Sequence, residues 1–168
     1  PLPKDDRYLV HKELPAGPAG QPWLFLAAAS RSELSKWQSL FKDVGLRLAK
    51  IELEPIACFR GLYDKAPEQP VCIVDIGANT TNVSFFGPKG LAYAFTVYRG
   101  GAWLTKRLAA ELQLTLAQAE RLKIEAGISA SSGAAVAVIK EELARTMKEV
   151  AAGIAYVGAN QGQTVKEL

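Results

Sequence analysis

Hydrophobic positions in the first third of the chain follow two different periods. Trp23–Ala29 is a bounded apolar run and Leu46–Leu53 alternates apolar with polar residues, so both segments predict β-strands. The segment between them repeats apolar residues at helical spacing and predicts a helix that ends at Gly45. The apolar positions of this helix are Leu34, Trp37, Leu40 and Phe41.

Shorter signals complete this half of the chain. Residues 7–12 predict a short strand or extended piece, and the prolines and glycines of residues 15–22 predict a loop. Ser30 stands three residues before Glu33, which is the spacing of a capping box at a helix N-terminus. A second helix is predicted over Glu54–Lys65, because its proline fits the first helical turn.

The pattern changes after Gln69-Pro70, where we expect a boundary between two lobes. Three apolar segments follow with short turns between them, so they predict an antiparallel meander of strands. These segments are Val71–Ile76, Thr81–Phe86 and Leu91–Tyr98. Three helices are predicted beyond them: one after Gly100-Gly101, one from a Thr115–Gln118 capping box to about Ala126, and one from Ser131 or Ser132 to beyond Val150.

The order of elements, β-α-β-α followed by β-β-β-α-α-α, predicts an α/β fold with mixed α+β sheets in two lobes. We expect residues 1–65 to form one lobe and residues 70–168 the other. Apolar residues make up 49% and charged residues 22% of the 168 positions, which excludes intrinsic disorder. The net charge of +3 does not argue for nucleic acid or an anionic membrane as a partner. No apolar stretch approaches the ~20 residues of a membrane span.

Cysteine and histidine are rare in this chain. Two cysteines, Cys58 and Cys72, and one histidine, His11, exclude a disulfide framework and a zinc-spaced cluster. This usage indicates a reducing, cytoplasmic compartment. The sequence opens at Pro1 without a methionine or a signal-peptide pattern, so we expect a piece of a longer protein.

Asp75 closes a buried strand, and the turn Gly77-Ala78-Asn79-Thr80 follows it directly. Backbone N–H groups and hydroxyls beside a carboxylate suit a phosphate with its magnesium ion. A plain β-hairpin is the alternative, because glycine, asparagine and aspartate are common turn residues. The carboxylate at the end of an apolar strand is the part that a hairpin does not require.

Two further features also allow a functional and a structural interpretation. Gly100-Gly101 before a helix allows close approach of a backbone or a ligand and leaves the helix N-terminus open to an anion. Its alternative is a strand-to-helix junction that needs a positive φ. Glu120 and Lys123 lie one helical turn apart, so they either pair on the solvent side or face a cleft and bind ribose hydroxyls.

Taken in order, residues 71–127 resemble the actin-like ATPases, the superfamily of actin, heat-shock chaperones and sugar kinases. The run from Asp75 to Thr81 resembles that superfamily's second phosphate motif. The meander, Gly100-Gly101 with Thr105, and the run Ala119 to Lys123 closing at Gly127 make the succession similar to the PilM family of type IV pilus assembly proteins. FtsA cell-division proteins are similar more distantly. Residues 1–65 match the element order of a small subdomain inserted in PilM-like proteins.

The resemblance implies an actin-like, ribonuclease H-like fold that binds ATP and magnesium. In these implied roles Gly77, Thr80 and Thr81 contact phosphates, Asp75 holds magnesium through water, and Glu120 with Lys123 approaches the ribose. The full set of implied cofactor-binding residues is Asp75, Gly77, Asn79, Thr80, Thr81, Gly100, Gly101, Glu120 and Lys123.

The family also has a first phosphate hairpin and a glycine-rich adenosine motif, which the given sequence does not show. We therefore expect about half of a nucleotide cleft and poor or absent ATP hydrolysis by this chain alone. An apolar face that a missing lobe leaves exposed favours self-association.

By the same resemblance the first hypothesis is a cytoplasmic assembly protein at the inner-membrane machinery of the type IV pilus. Its implied partner is the cytoplasmic tail of a PilN-like membrane protein, held in a groove beside the inserted subdomain. The alternatives are a degenerate, non-hydrolysing scaffold as in type II secretion and an FtsA-like cell-division protein. A metabolic kinase of the superfamily is disfavoured, because no carboxylate is placed as a general base for a substrate hydroxyl.

Overall fold

The computed structural model describes residues 3–14, 23–128 and 133–161. The chain separates into two compact units, Pro1–Ala66 (unit 1) and Pro67–Leu168 (unit 2). Each unit is described by itself below.

Unit 1 is built on an antiparallel hairpin. Strand β1 (Arg7–Leu14) pairs with β2 (Trp23–Ser30) over its full length, from Arg7 opposite Ser30 to Leu14 opposite Trp23. Helix α1 (Arg31–Asp43) follows β2 directly, and helix α2 (Glu54–Leu62) closes the unit. The helix stop predicted at Gly45 is confirmed, because this glycine has a φ of +74° just after the C-cap.

The N-terminus of α1 is capped by two side chains, Ser30 and Asp6. The Ser30 hydroxyl accepts from the N–H of Glu33 at 3.1 Å, as the capping box predicts. The Glu33 carboxylate, however, pairs with Lys36 instead of reaching back to the cap. Asp6 supplies a different second cap: its carboxylate accepts from the Ser30 hydroxyl at 2.6 Å and from the Ser32 N–H at 2.8 Å. These bonds, Ser30 first, lower the pKa of the Asp6 carboxyl.

The strand predicted over Leu46–Leu53 is wrong, because the segment has no ladder partner and unit 1 has a two-stranded sheet among its described residues. Alternation of apolar and polar residues marks extended backbone, but it does not supply a neighbouring edge. The segment is tied through Glu52 instead, whose two carboxylate oxygens accept from Arg60 of α2 at 2.7 and 2.9 Å. Helix α2 ends at Leu62, three residues before the predicted Lys65.

Unit 2 contains the predicted antiparallel meander, which is confirmed. Its strands are β3 (Val71–Ile76), β4 (Thr81–Gly87) and β5 (Gly90–Val97), in the order β3-β4-β5. Three helices follow: α3 (Gly101–Glu111), α4 (Leu116–Ala126) and α5 (Ala134–Gln161).

The helix ends of unit 2 test three more predictions. The Thr115–Gln118 capping box at α4 is confirmed, since both reciprocal bonds are present. Helix α5 runs past Val150, also as predicted. The predicted start at Ser131 or Ser132, like the predicted loop over residues 15–22, lies outside the described residues. Within the described parts of the chain, no helix combines the length and apolar character that a membrane span requires.

Helix α5 joins two cores and so holds the sheet and the other helices of unit 2 together. Its C-terminal half packs on the sheet, and its N-terminal half packs on α3 and α4. The first core contains Val83, Phe85, Val97, Val150 and Val157, and the second contains Leu108, Ala119, Ala135 and Ile139.

Candidate functional site

The turn between β3 and β4 rests on the first residues of α3. Within the turn, the Gly77 N–H donates to the Thr80 carbonyl at 2.9 Å. The N–H groups of Gly101 and Ala102 donate to the carbonyls of Gly77 and Ala78 at 2.9 and 2.7 Å. The conformation of this turn is therefore fixed by the backbone of the helix beneath it.

Gly100 is needed for this contact because of its size. Its φ of −149° is extended backbone, so the interpretation as a junction that requires a positive φ is wrong. A Cβ at this position would lie 2.5 Å from the Gly77 carbonyl oxygen, which is a clash. The close backbone approach expected of the double glycine is thus present, and its partner is the turn itself.

The N-terminus of α3 is occupied, so the expectation that it stands open to an anion is wrong. The first two N–H groups of the helix, from Gly101 and Ala102, already donate to the turn. Gly100 and Gly101 consequently support the turn, and the N–H of Gly101 is not available to a ligand.

Thr81 also supports the turn from inside. It is fully buried, and its hydroxyl donates to the Arg99 carbonyl at 2.8 Å. We therefore correct the expected phosphate contact at Thr81, because its hydroxyl is already engaged within the core.

Asp75, Asn79 and Thr80 remain accessible at the turn. Asp75 is half-buried and lies opposite Asn82 in the sheet, and its carboxylate forms no hydrogen bond or ion pair with another described residue. Asn79 is exposed and Thr80 is half-buried. These side chains offer a carboxylate, an amide and a hydroxyl to solvent.

The chemistry of this turn fits a phosphate group and a magnesium ion. The N–H groups of Ala78, Asn79 and Thr80 donate to no backbone carbonyl of another described residue, so three consecutive donors are available for phosphate oxygens. The unpaired carboxylate of Asp75 suits the hydrated ion, since Mg²⁺ keeps several waters and takes one or two carboxylates. No group of three or more His, Cys, Asp or Glu among the described residues forms an all-protein metal cage.

Three side chains of α3 and α4, those of Thr105, Glu120 and Lys123, form a polar network beside the Gly101 carbonyl. The Lys123 ammonium donates to the Gly101 carbonyl at 3.2 Å, to the Thr105 hydroxyl at 3.0 Å and to the Glu120 carboxylate at 2.7 Å. The Thr105 hydroxyl lies within hydrogen-bond distance of both the Gly101 carbonyl and the Glu120 carboxylate, and its single proton is shared between these two acceptors. Hydrogen bonds from Lys123 first and Thr105 second lower the pKa of the Glu120 carboxyl. Glu120 and Lys123 are therefore bonded to α3 as well as to each other.

A second polar cluster, centred on Glu142 of α5, was not anticipated from the sequence. Glu142 is 3% exposed, and its carboxylate accepts from the Trp103 indole N–H at 3.1 Å and from Arg107 Nε at 3.0 Å. Arg145 donates to it at 3.3 Å, and Arg99 lies 3.9 Å away.

A signal for Glu142 is nevertheless present in the spacing of α5. Its inward positions recur every three or four residues, and the polar Glu142 and Thr146 occupy two of them. A charged residue on the buried stripe of a helix requires a partner in the core. The buried positions of this stripe are Ala135, Ile139, Glu142, Thr146, Val150 and Val157.

Unit 1 carries a separate groove with a volume of about 740 Å³. One face of the β1–β2 hairpin, helix α1 and the unpaired segment 48–53 form its walls. The lining is largely apolar, with Tyr8, Val10, Phe25, Ala27, Leu34 and Ile51 among its side chains.

Comparison with known proteins identifies the family. Residues 72–168, more than half of the chain, match the family described as cell division protein FtsA. The chain belongs to the FtsA family. A cell division protein FtsA from Neisseria meningitidis serogroup B is 29% identical over 93 residues, which are 55% of this chain and 22% of that protein.

Two solved structures share the fold of this FtsA-family chain. The PilM–PilN type IV pilus biogenesis complex matches with a TM-score of 0.68 and 18% identity, over 91% of this chain and 46% of that chain. The ethanolamine utilization protein EutJ from Carboxydothermus hydrogenoformans matches with a TM-score of 0.51 and 26% identity, over 67% of this chain and 41% of that chain. The predicted actin-like ATPase fold is confirmed. The chain spans less than half the length of each of these relatives.

Proposed function

We propose that this member of the FtsA family is an actin-like assembly protein that binds ATP at the turn of unit 2 and a partner's peptide tail in unit 1. The observation that carries the nucleotide part is the turn Gly77–Thr80, which is held in place by α3 while its own N–H groups and Asp75 stay available.

The proposed roles follow from what each group can donate or accept. The N–H groups of residues 78–80, with the hydroxyl of Thr80 and the amide of Asn79, bind phosphate oxygens. Asp75 binds magnesium through water, and magnesium when bound neutralises phosphate charge. Glu120 and Lys123 approach the ribose.

We propose binding without hydrolysis by this chain. The carboxylate of Asp75, in β3 just before the turn, has no partner among the described residues, and we assign it to the metal ion. Glu120 is held by Lys123 and Thr105, which disfavours a role as a general base because its pKa is lowered.

The partner part of the proposal places an extended, apolar peptide in the groove of unit 1. We propose the cytoplasmic tail of a PilN-like protein of the type IV pilus machinery, which would place this protein at the cytoplasmic side of the inner membrane. The apolar lining and the volume of about 740 Å³ support a peptide of several residues. The likeness to the PilM–PilN structure supports the same proposal, since it extends over 91% of the chain and so includes unit 1.

Two observations favour alternative functions. The match to cell division protein FtsA over residues 72–168 favours a role in division rather than in pilus assembly. The buried Thr81 and the occupied N-terminus of α3 favour a scaffold that keeps the fold without binding nucleotide.

A calorimetric titration with magnesium-ATP tests the nucleotide part. We expect saturable binding by the chain, loss of binding in Asp75→Ala, and unchanged binding in Asp64→Ala, an exposed aspartate of unit 1. If Asp75→Ala binds as the unsubstituted chain does, the assignment of Asp75 is wrong. Absence of binding in all three proteins would favour the scaffold alternative.

A fluorescence titration with a labelled peptide tests the groove. The probe is the cytoplasmic tail of the PilN-like protein from the same organism. Val10→Glu places a charge in the groove, whereas Leu9→Glu places the same charge on the opposite face of β1. We expect Val10→Glu to abolish binding and Leu9→Glu to leave it intact. Equal effects of the two variants would contradict the groove as the binding site.

A further inference from the structure

Glu142 connects α5 to both sides of the glycine pair on which the turn rests. Trp103 and Arg107, in the first two turns of α3, donate to its two carboxylate oxygens at 3.1 and 3.0 Å. Arg99, immediately before the glycines, lies 3.9 Å from it and stacks over the Trp103 ring at 5.7 Å. Trp103 and Arg107 lie four residues apart in α3, so one carboxylate holds a single face of the helix, while Arg99 approaches it from the segment before the helix.

This arrangement fixes the rotation of α3 about its own axis. Glu142, Gly100 and Gly101 line the same small cavity of about 40 Å³, so little space separates the carboxylate from the support of the turn. On the far side of the glycines, Gly101 and Ala102 donate to the turn. A rotation of α3 would therefore shift the donors that hold Gly77 and Ala78.

We infer that Glu142 is a positioning residue, which holds the turn Gly77–Thr80 in its binding conformation by anchoring the N-terminal end of α3. The inference rests on the proposed function for the ligand of the turn, but the positioning itself is independent of any ligand. Glu142 acts on the turn through α3 and does not contact the phosphate itself.

The ion pairs around Glu142 make a selective test possible. Each arginine has a second acidic partner: Arg99 pairs with Glu149, Arg107 with Glu111, and Arg145 with Glu141. A neutral residue at position 142 therefore leaves no arginine without a carboxylate. Glutamine also keeps an acceptor for Trp103, so we expect Glu142→Gln to fold.

Amide hydrogen exchange of the full chain, followed by NMR, tests the inference without nucleotide. In Glu142→Gln we expect the N–H groups of Gly101 and Ala102 to exchange about tenfold faster, a factor that corresponds to about 1.4 kcal/mol in local opening. The N–H of Ala119, which donates to Thr115 within α4, should keep its rate. Glu141→Gln is the matched control, since Glu141 is exposed and its one ion-pair partner among the described residues is Arg145.

Three outcomes decide the matter. Unchanged exchange at Gly101 and Ala102 would overturn the inference, and so would equal acceleration at Ala119, because Glu142 would then act on global stability. Trp103→Phe removes one donor to Glu142 and keeps an aromatic ring at position 103. It should accelerate exchange at Gly101 and Ala102 by a smaller factor than Glu142→Gln. This variant provides the test if Glu142→Gln does not fold. If exchange changes as expected while magnesium-ATP does not bind the unsubstituted chain, the positioning role stands and the proposed nucleotide function fails.

Discussion

The carbonyl oxygen of Gly77 lies where a side chain at Gly100 would have to be, 2.5 Å from the position of its Cβ. Glycine at position 100 is therefore a steric requirement of the turn that follows β3. The candidate phosphate site depends on this contact between two elements that are 23 residues apart in sequence.

We expect Gly100→Ala to destabilise unit 2 by about 1–3 kcal/mol, because a backbone carbonyl cannot move aside as a side chain can. The measurement is chemical unfolding followed by circular dichroism. Gly101→Ala is the control, since its Cβ would lie 3.5 Å from Lys123 Nζ and 3.8 Å from the Gly77 oxygen, both ordinary contacts. Comparable losses in the two variants would contradict the steric account.

Gly153 tests how tightly α5 packs on the sheet. A Cβ at Gly153 would lie 2.2 Å from Cζ of Phe95, whose ring packs against those of Phe85 and Tyr93. We expect Gly153→Ala to cost about 1–3 kcal/mol through overpacking, despite the better helix propensity of alanine.

The matched control for Gly153→Ala lies in another helix. A Cβ at Gly61 of α2 would meet no atom within 4 Å, so Gly61→Ala should stabilise the protein by about 0.5–1 kcal/mol. Thermal unfolding of both variants measures the contrast. A stabilising Gly153→Ala would show that Phe95 has room to move.

The lowered pKa of Glu120 predicts a pH dependence with a definite sign. A carboxyl whose pKa is lower in the folded state stabilises the fold above its ordinary pKa, and this contribution disappears as the pH falls through the folded value. Lys123 is the first cause of the shift, so Lys123→Met should raise the pKa of Glu120 toward its ordinary value of 4.5.

An NMR titration of the Glu120 side-chain carboxyl carbon measures this change. Lys106→Met serves as the control, because Lys106 is an exposed residue of α3. An unchanged pKa of Glu120 in Lys123→Met would contradict the hydrogen bond between Lys123 and Glu120 as the cause of the lowered pKa.

Cys72 should be slow to react with thiol reagents in the folded protein. Its side chain packs against the core of the sheet, and burial raises its pKa to about 11. On the order of one Cys72 thiol in a thousand is then ionised at pH 8, and the thiolate is the reactive form. Alkylation with iodoacetamide, followed by mass spectrometry of the peptides, should modify Cys72 rapidly in denaturant and slowly without it. Equal rates under the two conditions would contradict the packing of β3.

The sequence predicted those parts of the fold that depend on local pattern. The meander from Val71 and the capping box of α4 followed from alternation, turns and caps. Leu46–Leu53 failed as a strand because pairing depends on a neighbouring edge that alternation does not report. The same limit applies to the site: the sequence placed Asp75 and the turn, but the reason for Gly100 lies in a contact between distant residues.

Glu142 illustrates the remaining limit. The spacing of α5 puts it on the buried stripe, yet its partners Trp103 and Arg107 belong to α3 and are separated from it by more than 30 residues. Tertiary structure alone shows which donors converge on that carboxylate. Thr81 shows the same limit, since the acceptor of its hydroxyl is the carbonyl of Arg99, which lies beyond the end of β5.

The most direct test of the nucleotide proposal is a two-dimensional NMR titration of the full chain with magnesium-ATP, in which the N–H signals of Ala78, Asn79 and Thr80 are followed. The account predicts saturable shifts of these three signals, with a concentration dependence that is lost in Asp75→Ala. Saturable shifts elsewhere with no change at residues 78–80 would contradict the turn as the phosphate site, and no shifts at any position would contradict nucleotide binding by this chain.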